Sequence, residues 1–471
     1  MKVLLADPPA KGTKIDDSYP NLGLLYLAGS LRTTFGDGAI DIAYLGPKHD
    51  LRSHVEAVRQ FRPDVYAISF TSKAPTISYA AIRAVKDACP GARIVAGGAH
   101  PTALPMEVFS EAPVDVVGFA EGEVTLAELV KAIGSQGKPD FEPVAGIAFR
   151  RDGDVVHTAR RPLIEDLDAI PFPAWELVDF RQYAGMHLKK QPIESSLLIS
   201  RGCPFHCAFC SQPIWKYQQP WLRARSPENI CREIDLLYER GVREIYLSSD
   251  ELNFNEKWAI DLCEAIASRK YRDLFFQCNM RADKVSQALV DALAKMNCWM
   301  VHLGIESAND RVLNGIGKKV TIAQIEEAVR LLSGAGSKVF AFMMLYQAWE
   351  ENGELCFETT EEVEKSLQWA KRMYKAGFIH YMSWQFTTPM PGARLFDIAR
   401  RHSLYRGEAR KVWESFDEHN TCMTLPGISA KTMQWKLRKG ILIKDWFMAR
   451  SGGISLRHAW RAWENVAALF K

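Results

Sequence analysis

The chain has 471 residues, a formal net charge of +3, 47% hydrophobic and 24% charged residues; this length predicts roughly three domains of ordinary size, and the fractions are those of a globular protein. So small a charge excess leaves no basic footprint for a nucleic acid, and no apolar run approaches the ~18 residues of a membrane span. The N-terminal stretch MKVLLADPPAKG has too short an apolar run for a secretory signal and reads as a buried first strand.

Residues 1–135 alternate short apolar runs with helical stretches. KVLLADPP, IDIAYLG, DVYAISF, ARIVAGG and VDVVGFA read as strands. LLYLAGSLRTTF, LRSHVEAVRQF, TISYAAIRAVKDA and VTLAELVKAI read as helices between them. That rhythm predicts a Rossmann-like parallel sheet with helices on both faces, and ligands of such sheets sit beyond the strand C-termini. The positions indicated are Pro8, Ser69–Ser72, Gly97–His100 and Glu121–Glu123. Gly97 and Gly98 let a large ligand approach the backbone before His100; a tight turn with a surface His is the alternative.

Residues 136–190 read as a linker, with Asp152-Gly153 marking a small hairpin and a Pro-rich connector after it. Over 191–405 the rhythm restarts. SSLLIS, EIYLSS, FFQCNM, MVHLGI, KVFAFMML and IHYMSWQF are strand-like, each followed by a helical stretch. Six such repeats predict a partial (β/α)6 barrel working at its strand C-terminal ends. Residues 406–471 carry two helix-like segments, MQWKLRKGILIKDWFMAR and LRHAWRAWENVAALF. They read as packing on the barrel, a basic amphipathic helix at a membrane surface being the alternative. The fold class is α/β with a helical C-terminal region.

Three of the ten cysteines, Cys203, Cys207 and Cys210, fall in RGCPFHCAFCSQP, directly after the first barrel strand. The other seven are scattered, as buried thiols are in a reducing cytoplasm. A structural zinc site needs four ligands, usually as two close pairs; no second pair is present, and His206 is the one nearby candidate for a fourth ligand. A disulfide strands one thiol. Closely spaced thiolates also hold iron–sulfur clusters, usually four of them, and three leave one iron of a [4Fe–4S] cluster open to an exchangeable ligand.

With Phe209 before the last cysteine, the motif resembles the CxxxCxΦC signature of the radical S-adenosylmethionine (SAM) superfamily. The resemblance implies a [4Fe–4S] cluster on Cys203, Cys207 and Cys210, SAM on the open iron, and cleavage of SAM to a 5′-deoxyadenosyl radical. It also implies an electron donor of flavodoxin or ferredoxin type. LSSDELNFN resembles the segment that meets the SAM amino group, which indicates Ser249, Asp250 or Glu251; a helix N-cap is the plainer role for the first two. NMRAD places Arg281 for the SAM carboxylate. GIESAND places Glu306 and Ser307 near the ribose, with a salt bridge at a helix N-terminus as the alternative.

LLADPP, PNLGLLYLAGSL, GGAHPTALP and AEGE resemble the cobalamin (B12)-binding domain of one radical SAM subgroup. That resemblance implies corrinoid contacts from Ser69, Thr71, Gly97, Gly98, His100 and Glu121. The DxHxxG motif that supplies a lower axial His elsewhere is absent, and Lys73, Pro75 and the LGPKHD loop crowd the same strand ends. Two reactions stay open: cobalamin-dependent methylation of an unactivated carbon, and a cobalamin-free dehydration or cyclisation with a vestigial front domain. Methylation is favoured. Tyr217 is a candidate hydrogen or electron relay. Methylthiotransferases need further N-terminal cysteines, and residues 1–150 hold Cys89 alone. The polar and aromatic strand ends (Tyr246, His302, Tyr346, Gln347, Trp349, Gln385) suit a hydrophilic metabolite, with a lipid or a tetrapyrrole as the alternative substrates.

Overall fold

Alternate residues of the first strands are apolar on both sides, which commits them to a sheet covered on two faces. The computed structural model describes residues 1–10, 18–36, 38–47, 49–73, 75–186, 188–406 and 421–450; the expected helix over LRHAWRAWENVAALF lies outside them. Two compact units are present, Met1–Gly202 with Ile214–Ile245, and Cys203–Pro213 with Tyr246–Lys471.

In the first unit, β1 (Lys2–Ala6), β2 (Asp41–Leu45), β3 (Val65–Ser69), β4 (Arg93–Gly97) and β5 (Val116–Gly118) are parallel. Helices α1 (Leu22–Phe35), α2 (Leu51–Phe61), α3 (Pro75–Ala88), α4 (Ala99–Ala103), α5 (Pro105–Glu111) and α6 (Glu123–Ile133) connect and extend them. Leu4, Ala6, Tyr66, Ile68, Ile94 and Ala96 pack with Val58, Ile82, Val85 and Phe109 on one face. Val3, Leu5, Val65, Ala67 and Val95 pack with Leu24, Leu31, Leu126 and Val130 on the other. This is the period of two made physical, since successive side chains leave a strand on opposite sides.

The sheet order is β2-β1-β3-β4-β5-β6-β7, with β6 (Ile147–Arg151) and β7 (Asp154–His157) as its last strands. Asp152-Gly153 makes the expected hairpin, both residues at positive φ. The hairpin is part of the sheet, however, rather than of a linker: β6 pairs antiparallel with β5 from Gly118↔Ile147 to Val116↔Phe149. Pairing satisfies backbone groups that β5 would otherwise leave at an open edge. The order reverses between β1 and β3, the switch point at which ligands of open α/β sheets bind.

After the short strands β8 (Glu194–Leu198), β9 (Ser200–Arg201) and β10 (Arg223–Ala224) and helix α7 (Pro227–Glu239) comes β11 (Glu244–Ser248). The second unit continues with α8 (Glu256–Ser268), β12 (Phe275–Met280), α9 (Gln287–Lys295), β13 (Cys298–Glu306), α10 (Asp310–Gly315) and α11 (Ile322–Gly334). Then follow β14 (Lys338–Leu345), the hairpin β15 (Ala348–Glu351) and β16 (Glu354–Phe357), α12 (Thr360–Lys375), β17 (Tyr381–Phe386), α13 (Arg394–Arg401) and α14 (Ala430–Arg450). The six-stranded sheet has the order β17-β14-β13-β12-β11-β8, and β12, β13, β14 and β17 are parallel. All six expected barrel strands are present. The hairpin β15–β16 was not expected, although Asn352-Gly353, both at positive φ, is its sequence signal.

Register separates the two faces of this sheet. Asn279 pairs with His302, His302 with Phe340, and Phe342 with Ser383, so these side chains share one face. His302 lies within 5.5 Å of the Tyr246 ring and 5.1 Å of Phe340. Val301, Leu303, Val339, Ala341 and Met343 alternate with them and are fully buried. Trp384 is on that opposite face, where a Cβ on Gly440 of α14 would lie 2.7 Å from its ring.

Candidate active site

The cysteine loop is pinned by backbone hydrogen bonds on both sides. Ala208 N–H donates to Ile316 O at 2.7 Å, and Ala208 O accepts from Leu395 N–H at 2.8 Å. Phe205 lies under the Arg281 guanidinium, 3.5 Å from ring centroid to Cζ, and 5.1 Å from Lys284 Nζ. Cys203, Cys207, Phe209 and Cys210 are half-buried. Burial pushes the Cys207 thiol up, while Lys318 and Arg281 oppose that shift and Glu306 and Glu251 add to it. The loop therefore sits among two buried cations and two buried carboxylates. Thiolates bind metals, and positive neighbours favour them. Among the described residues no three His, Cys, Asp or Glu are arranged to hold a single ion. The thiolates of a cubane sit on separate irons and need no such convergence.

One face of the sheet and its strand ends carry polar atoms without a partner. Ser249 Oγ, both Glu251 carboxylate oxygens, Asn279 Oδ1, His302 Nδ1, both amide atoms of Gln347, Ser383 Oγ and Thr387 Oγ1 are buried without a hydrogen-bond partner. Such atoms cost about 1–3 kcal/mol each, and they mark where a ligand's donors and acceptors belong. Burial raises the Glu251 carboxyl to about 7; Arg281 Nε, 3.8 Å away, is its nearest cation. Burial likewise lowers His302 to about 4, leaving a neutral ring whose Nε2 is 2.8 Å from Gln277 Oε1.

Several expected residues are engaged elsewhere. Arg281 donates to Asp283 from Nε (2.8 Å) and Nη2 (3.1 Å), and to Lys318 O at 2.6 Å. It clamps the cysteine loop through Phe205. Glu306 Oε1 accepts from Lys318 Nζ at 3.0 Å, on a residue held at φ 66°, a strained conformation for a non-glycine. Ser307 is buried and donates to Glu358 Oε1 at 2.7 Å; Glu358, raised to about 7 by burial, also receives Tyr346 N–H at 2.8 Å. Asp250 is exposed and accepts from Gln212 Nε2 at 2.5 Å. Trp349, expected at the barrel mouth, is fully buried, 4.9 Å from the Arg311 guanidinium. Lys318 and Glu358 had no sequence signal, because Lys318 pairs with Glu306 and Glu358 with Ser307 across intervening elements, whereas Asp283 lies in NMRAD two residues from its partner Arg281.

In the first unit, Ser69 and Gly97 pair at the ends of β3 and β4. Thr71 is exposed, and a Cβ on Gly97 would meet nothing within 4 Å. Gly98 is required at φ 98°, since its Cβ would lie 2.7 Å from Phe70 O. His100 is not a surface residue in a turn. It is fully buried, with Nδ1 2.8 Å from Ser72 Oγ and Nε2 2.8 Å from Tyr79 Oη. Both ring nitrogens are occupied, so it offers no lone pair to a cobalt. The open space at Gly97 fits a corrinoid that His100 would not ligate. Glu121 accepts from Arg201 and Arg223, each at 3.0 Å, and from Ile164 N–H at 2.8 Å. Burial opposes its charge, yet Arg223 and Arg201 hold its carboxyl below the ordinary range. Tyr217 Oη donates to Arg161 O at 3.0 Å, and burial raises its hydroxyl.

Clustered thiols among buried charges, at the ends of parallel strands with unsatisfied acceptors, define a cofactor-dependent α/β enzyme. The family model for the radical SAM superfamily matches residues 197–354, and that for the B12 binding domain matches residues 11–130. An uncharacterized methyltransferase, PH0819, of Pyrococcus horikoshii is 30% identical over 95% of both chains. The anaerobic magnesium-protoporphyrin IX monomethyl ester cyclase of Cereibacter sphaeroides is 29% identical over 82% of this chain and 63% of its own length. The fold is shared with the radical SAM methyltransferase TsrM of Kitasatospora setae, a structure with cobalamin and a [4Fe–4S] cluster bound. Its TM-score is 0.70 at 16% identity, over 94% of this chain and 88% of that one. The chain belongs to the radical SAM superfamily, in the group with a B12-binding domain ahead of the radical SAM domain.

Proposed function

We propose that the protein is a cobalamin-dependent radical SAM methyltransferase that methylates an unactivated carbon of a small molecule. The observation that carries this is the placement of Cys207 among Lys318, Arg281, Glu306 and Glu251, beside strand ends whose polar atoms lack partners. When bound, the cluster and SAM supply a hydrogen-abstracting 5′-deoxyadenosyl radical, and cobalamin supplies the methyl group.

Cys203, Cys207 and Cys210 hold the cluster, and the Phe205–Arg281 contact keeps their loop in place. Glu251, Ser249 and Asn279 present acceptors for the SAM ammonium group. Gln347, Ser383, Thr387 and neutral His302 orient a polar substrate by hydrogen bonds. Ser69, Thr71, Gly97 and Gly98 form the corrinoid face. A one-electron donor of flavodoxin or ferredoxin type supplies the reducing equivalent. The cobalamin-free dehydratase or cyclase is not favoured, because the B12-binding match spans most of the first sheet and the PH0819 relative carries the methyltransferase name.

The test is anaerobic reconstitution with iron, sulfide and hydroxocobalamin, followed by SAM and a strong reductant. Retained corrinoid absorbance together with 5′-deoxyadenosine is the expected result. Its absence from wild-type protein that holds iron would overturn the radical assignment; 5′-deoxyadenosine formed without retained corrinoid would overturn the methyltransferase reading alone.

A further inference from the structure

We infer that Glu358 is a positioning residue, whose buried carboxyl group locks the ends of β13 and β14 in the strained turns that set Glu306 and Gln347. This rests on SAM and substrate meeting those strand ends, as proposed above. Two left-handed non-glycine residues lie there, Glu306 at φ 66° and Tyr346 at φ 61°. At Glu306 the ladder skips Ile305, with Gly304 paired to Phe342 and Glu306 to Met343, and Ser307 N–H donates to Ile305 O at 2.8 Å. A bond to the residue two back around a positive φ makes a γ-turn of the rare, strained kind. It sits in a bulge, a device that re-aims a side chain. Such backbones persist only where their surroundings over-determine them.

One side chain meets both turns. Glu358 is fully buried. Its Oε1 accepts from Ser307 Oγ, directly after Glu306, at 2.7 Å. Its Oε2 accepts from Tyr346 N–H at 2.8 Å and from Gln347 N–H at 3.4 Å, and its own N–H donates to Gln347 O at 2.8 Å. The anchor behind it is the start of α12. Thr359 caps that helix in a capping box with Glu362, and Ser366 Oγ accepts from Ala308 N–H at 2.9 Å. Gln347, held from both sides of its peptide, is fully buried with neither side-chain amide atom partnered. Burying a carboxyl group opposes folding, and so do the two left-handed residues. Local conflicts of this kind gather where a chain is built to receive a ligand. Glu358 acts on that site through Glu306 and Gln347.

The test measures SAM affinity by anaerobic equilibrium dialysis on the reconstituted full chain at matched iron content, with amide hydrogen exchange over residues 345–348 read on the same proteins. E358A is expected to bind SAM about tenfold more weakly and to exchange faster there. E358D, one methylene short of spanning both turns, is expected to do so in part. E358Q keeps an acceptor for the two N–H groups and a donor for Ser307 Oγ, and is expected to retain wild-type affinity and exchange. L332A removes apolar packing at a fully buried position of α11, and is expected to lower the melting temperature without moving SAM affinity. Wild-type affinity or exchange in E358A or E358D would overturn the inference alone. So would a loss in E358Q or L332A equal to that in E358A. Wild-type protein that holds iron but binds no SAM would overturn it together with the reading on which it rests.

Discussion

Replacing Lys318 with Met isolates the buried ion pair beside the cysteine loop. Lys318 Nζ and Glu306 Oε1 are 3.0 Å apart, with 7% and 8% of their side chains exposed. At that distance and an effective dielectric of ~20, the attraction is about 5 kcal/mol. Much of it offsets desolvation, so the pair adds little net stability, but breaking it leaves a buried carboxylate uncompensated at a cost of about 3–5 kcal/mol. For a unit of this size that loss corresponds to a fall in melting temperature of roughly 10 °C. The double variant E306Q/K318M removes both charges and should recover at least half of the loss. Calorimetry on wild type, both single variants and the double variant gives the coupling directly. A K318M variant within about 1 kcal/mol of wild type would refute the reasoning, as would a double variant no better than the sum of the singles. Gly304→Ala should mimic K318M in part, because its Cβ would lie 2.5 Å from Glu306 Oε1 and 3.0 Å from Lys318 Nζ.

Glu251 is raised to about 7 from an ordinary 4.5, so the folded state binds its proton more tightly than the unfolded state. Stability should fall as pH rises from 4.5 to 7, and the Glu251→Gln variant should lack about 2–3 kcal/mol of that fall in pH-dependent melts. Gly202→Ala should lower both melting temperature and iron retained on reconstitution with every cysteine intact, because Gly202 sits at φ 89° and its Cβ would lie 2.0 Å from Trp221 O. Because both nitrogens of His100 are bonded inside the first unit, His100 should not ligate the cobalt, and the electron paramagnetic resonance spectrum of the reduced, cobalamin-reconstituted protein should not report it. His100→Ala should cost about 2–4 kcal/mol without changing that spectrum.

Most elements were legible because their signals are local. The strands KVLLADPP, DVYAISF and KVFAFMML are near-continuous apolar runs, as strands covered on both faces are, and Asn, Ser and Thr caps open α1, α7 and α11 where the apolar period begins. The spacing of Cys203, Cys207 and Cys210 was equally local, and it carried the resemblance to the radical SAM signature. The hairpin at Asp152-Gly153 was visible as a hairpin, yet nothing within it says that β6 joins β5.

Partner choice across the chain belonged to the tertiary structure. Ser307 was recognisable in GIESAND, but only folding brings it to Glu358, 51 residues away in sequence. Arg281 was recognisable as a cation at a strand end, but Phe205 and the Lys318 carbonyl, both distant in sequence, decide what it holds. The two faces of α14 look alike as sequence, both apolar with basic neighbours, and docking against Trp384 and Tyr374 alone leaves Trp435 and Trp446 outside. Periodicity and motif spacing are properties of neighbouring residues, so the sequence by itself determined the elements and the cysteine motif. Burial, pKa and ion pairing depend on which distant side chains share a low-dielectric space, and that the tertiary structure decided.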